Sequence, residues 1–128
     1  MQEVRSRPWV DIVRFYRELE EKHGLRLDGM LQLVQSIAAS RYAAGLHAAT
    51  SMHSLMVSQS PVFEHLREML LVEPKDDRLV FTYFEHPYAL PRWTTSCAPE
   101  DGFSTLEHFV LDLKKWWVEY PPGRPFTE

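Results

Sequence analysis

Apolar residues in this chain recur with two different periods, and the periods divide it into helical ends and an extended middle. From Pro8 to His23, Trp9, Ile12, Val13, Tyr16 and Leu19 fall on one stripe at 3.6-residue spacing. Arg14, Glu18 and Lys22 line the far side at i,i+4 spacing, as a solvated face does. Pro8 suits the first helical position, because the N–H it lacks has no helical partner there. Gly24 is a left-handed stop, with Leu25 folding back on Leu19.

A second helix is predicted from Asp28, as its cap, to about Ala44, with Gly45 as its stop. Met30, Leu33, Val34, Ile37 and Ala38 form its apolar arc. Gln32, Gln35, Ser36, Ala39 and Ala43 form an opposite side with no charge, which predicts a helix covered on most sides. The short link between the two helices predicts an antiparallel pair.

In the middle of the chain the period drops towards two. Met52–Ser58, Met69–Glu73, Leu79–Glu85 and, more weakly, Arg92–Cys97 read as strands. Pro74-Lys75-Asp76-Asp77 is a turn that makes the second and third of these an antiparallel hairpin. Leu79, Phe81 and Tyr83 share one side, and Val80, Thr82 and Phe84 the other. Both sides are largely apolar, which places this strand inside a sheet. Trp93, Thr95 and Cys97 share a side in the last strand.

Helical spacing returns with Leu106, Phe109, Val110, Leu113 and Trp117, after a Ser104-Thr105-Leu106-Glu107 capping box. Trp116 falls at the edge of that stripe, and Pro121 and Pro122 stop the helix. The prediction is an α+β fold: a small antiparallel sheet of three to four strands, with two N-terminal helices and one C-terminal helix packed on it. One domain spans 1–120, and 121–128 is an extended Pro-rich tail.

Charge changes this picture in one place. Residues 27–60 carry only Asp28 and Arg41, whereas 61–128 carry seven bases and twelve acids and hold the whole acidic excess of a chain with net charge −4. That balance argues against nucleic acid as a partner. No apolar run approaches the ~18 residues of a membrane span, and the first residues lack the apolar core of a signal peptide. A single cysteine, Cys97, fits a reducing cytoplasm.

Arg41 projects eleven residues beyond Met30, about 20° away on a continuous helix, in the middle of the apolar arc. A guanidinium there needs an acid, water or a route outward. One reading is a carboxylate or phosphate ligand; another is a side chain that snorkels from the last helical turn. The stretch from Arg41 and Tyr42 through His47 and Ser51 to His53 reads as a helix-to-strand junction of small, hydroxyl and imidazole residues, the composition of a binding loop. Tyr88 and Trp93, near Arg92, have the composition of an interface hot spot.

Catalytic signals are weak. His47 and His53 match no zinc spacing, and no metal or other cofactor is called for. No Gly-x-Ser-x-Gly elbow or Gly-rich phosphate loop is present, and the alternating context of Cys97 points to the core. Three functional classes remain. The favoured one is a non-catalytic protein-interaction or self-associating module, a homodimer or the binder of another protein, with an acidic inhibitor or immunity-type protein as an analogy of size and charge. The second is a small-molecule domain binding an anion through Arg41 and the 47–53 loop. The third is a His-based hydrolase or metalloenzyme, which needs convergence of His47, His53, His65 or His86 with an acid or Cys97.

Overall fold

The computed structural model describes residues 4–24, 27–63, 68–86, 89–113 and 116. Its elements are β1 (Val4–Arg5), α1 (Trp9–His23), α2 (Asp28–Ala38), β2 (His47–Ser51), β3 (Ser54–Ser58), β4 (Val62–Phe63), β5 (Met69–Lys75), β6 (Arg78–Phe84), β7 (Trp93–Cys97) and α3 (Gly102–His108). Short 3-10 turns cover Arg41–Ala44 and Pro99–Asp101, and a π-helical turn covers Phe109–Leu113.

Five strands form one antiparallel sheet in the order β2-β3-β5-β6-β7, a meander interrupted only by β4, which pairs with β1. The fold is α+β as expected, with one strand more than the upper prediction. The extra strand is β2. Its sequence, His-Ala-Ala-Thr-Ser, has no large apolar residue to show a period of two. Pairing with β3 holds it extended, and Arg7 N–H donates to Ala48 C=O at 2.9 Å along its outer edge.

Helix α1 matches its predicted bounds. Ile12 and Tyr16 are fully buried, and Gly24 ends the helix at φ 65°. Tyr16 Oη donates to His53 C=O at 3.0 Å, and Trp9 Nε1 donates to Leu46 C=O at 3.0 Å, so this helix is fastened to both ends of β2. The expected contact of Leu25 lies outside the described residues.

Helix α2 stops six residues before the predicted end. Ser40 turns the chain, its hydroxyl donating to Ile37 C=O and accepting from Tyr42 N–H, and a 3-10 turn comes next. No side chain caps its start at Leu27, and Gly45 is not left-handed (φ −109°). Met30, Leu33, Val34 and Ile37 are buried as the arc requires, but Gln32, Gln35 and Ala39 are exposed. An uncharged helix face is therefore not a covered one here: glutamine amides are satisfied by water.

The C-terminal helix departs most from expectation. Pro99–Asp101 starts it early, so Ser104 lies inside the helix. There its hydroxyl donates to Asp101 C=O, and Glu107 bonds elsewhere, so no capping box forms. The π-helical turn then inserts the equivalent of one residue and rotates the chain beyond it. Trp116, expected at the edge of the stripe, is buried at 3% exposure, and Leu113, expected on the stripe, turns outward at 45%. Trp117 and residues 121–128 lie outside the described part.

The core fills one face of the sheet. Leu55, Val57, Leu70, Val72, Leu79, Phe81 and Tyr83 pack against Ile12, Tyr16, Met30, Leu33, Ile37, Leu106, Phe109 and Val110. Two glycines permit close approach. A Cβ on Gly29 would stand 2.8 Å from Pro99 Cβ, and one on Gly102 2.7 Å from Leu79 Cδ1.

Candidate functional site

The residues singled out in the sequence fall into separate places. Arg41 is exposed, because the end of α2 at Ala38 removes the continuous helix that put it on the apolar arc. Its guanidinium lies 5.4 Å from the centre of the Tyr42 ring. Tyr42 is 1% exposed and donates its hydroxyl to Glu107 Oε2 at 2.6 Å, tying the 3-10 turn to α3. Burial first, and the Glu107 carboxylate second, push the Tyr42 hydroxyl above its usual pKa, with Arg41 opposing.

His47 opens β2, opposite Ser58, and Ser51 closes it, opposite Ser54. His53 lies in the two-residue turn after it and is exposed. About 13 Å of strand separates His47 from Ser51, so the two imidazoles sit at opposite ends of the hairpin. Burial lowers the His47 pKa below that of a free imidazole.

The same registers separate the remaining candidates. Cys97 is buried opposite Leu79 at one end of β6, and His86 lies past the other end, about 23 Å away along the strand. Cys97 on β7 and His53 beyond β2 share an end of the sheet but stand at its two edges, roughly 19 Å apart at strand spacing. Among the described residues no three His, Cys, Asp or Glu side chains could hold a metal ion. His65 and Tyr88 lie outside the described residues.

Trp93 is half-buried on the core side of β7, its ring centre 5.2 Å from that of Phe109. Phe109, Tyr83 and Trp116 complete an aromatic cluster. The Glu68 carboxylate accepts from Tyr83 Oη and from Trp116 Nε1. Tyr83, Phe109 and Trp116 are buried there, with Trp93 packed against them.

The most distinctive surface is one the sequence pattern announced without locating. Residues of opposite parity to the core strands point away from all three helices, and none of them belongs to the core cluster. The register lines them up in rows. Ala49, Met56, Leu71, Thr82 and Thr94 form the central row. Met69 and Phe84 pair on one side of it, and Glu73 and Val80 on the other. Lys75 and Arg78 lie beyond, at the turn between β5 and β6. Met56, Met69, Leu71, Val80 and Phe84 are half-buried, and Ala49, Ser58 and Thr82 on the same face are buried. Among the described residues no helix or strand packs on this face. The signal for it was the β6 strand, apolar on both sides: one side meets the helices, and on the other Val80 and Phe84 are half-buried with no helix of the described residues against them.

No known protein family, curated protein or solved structure matches this chain.

Proposed function

We propose that this protein is a non-catalytic interaction module whose binding surface is the helix-free face of its sheet. The observation that carries this reading is the contiguous set Met56, Met69, Leu71, Val80 and Phe84 on a face with no covering layer among the described residues. Adjacent strands lie about 4.8 Å apart, so these side chains touch as one field. Contiguous apolar surface on a folded chain marks contact with another macromolecule more often than scattered apolar residues do. Among the described residues, the polar groups that hydrolysis or metal chemistry needs stand far apart, and Arg41 is exposed beside the Tyr42 ring, so no specific observation favours the enzyme or anion-binding alternatives.

The test is a photo-cross-linking residue placed at Thr94, on the open face, or at Glu18, on the helix side, in cells producing the protein. Protein adducts from position 94 and none from position 18 are the expected result. Adducts from position 18 alone would overturn the assignment of the surface.

A further inference from the structure

We draw no further inference here: the strongest candidate, the cavity between the first turn of α2 and the turn joining β5 to β6, rests on a helix N-terminus and on exposed charges of both signs (Lys75, Arg78, Asp76 and Asp77), with no second feature among the described residues that selects a ligand.

Discussion

The two faces of the sheet are built from the same strands and differ in what meets them. On one, Leu55, Val57, Leu70, Val72 and Phe81 are fully buried beneath three helices. On the other, Met56, Leu71, Val80 and Phe84 come from the same strands and are half-buried, with no helix above them among the described residues. Similar side chains on alternate positions therefore have different energetic roles. The covered face supplies folding stability; under the proposed function, the other face presents its remaining apolar surface to a partner.

The largest expected effect breaks this contrast directly. Phe81→Ala empties a fully buried site and should cost about 3–5 kcal/mol, whereas Leu71→Ala, ten residues earlier on the open face, should cost no more than about 1 kcal/mol. Urea unfolding of both variants measures the difference. Equal costs would mean that the open face is packed in the monomer.

Next in size is the seam between α2 and the turn before α3. Gly29→Ala forces a Cβ to within 2.8 Å of Pro99 Cβ and 3.2 Å of its Cα, and backbone cannot swing aside as a side-chain tip can. A loss of about 1–3 kcal/mol is expected on the covered side in the same unfolding experiment.

A smaller effect of opposite sign is expected at the β2–β3 turn. Met52 is 85% exposed and left-handed at φ 57°, a conformation that costs a side-chain-bearing residue about 1 kcal/mol. Met52→Gly should raise stability by up to about 1 kcal/mol, read as a higher urea midpoint.

The smallest effect sharpens the comparison at the rim of the open face. Burial holds the His47 pKa below its ordinary value of 6.5, so the folded chain disfavours the proton that the unfolded chain accepts. This contribution is neutral above pH 6.5. It costs stability as pH falls through 6.5, and the loss levels off once the folded imidazole also protonates. His47→Gln should flatten the stability profile between pH 7.5 and 5 relative to the parent chain.

Legibility tracked the range of the interactions involved. Helix α1, the β5–β6 hairpin and the two apolar sides of β6 were readable because side chains a few residues apart report them. Strand β2 was not, because its extended form comes from pairing with β3 and Arg7 rather than from its own residues. The Arg41 projection failed with the continuous helix it assumed, and the burial of Trp116, expected only at the edge of the stripe, follows a π-helical turn that no spacing announces. The candidate residues Arg41, Tyr42, His47, Ser51, His53 and Trp93 were chosen for chemistry along the chain, and the registers distribute them among the sheet ends, the 3-10 turn and the core.

By itself the sequence determined helix α1, the β5–β6 hairpin and that β6 is apolar on both sides, since periodicity is a property of neighbours along the chain. Only the tertiary structure decided which of those sides the helices would cover. That choice depends on where α1, α2 and α3 find complementary packing across the sheet, a contact between residues far apart in sequence.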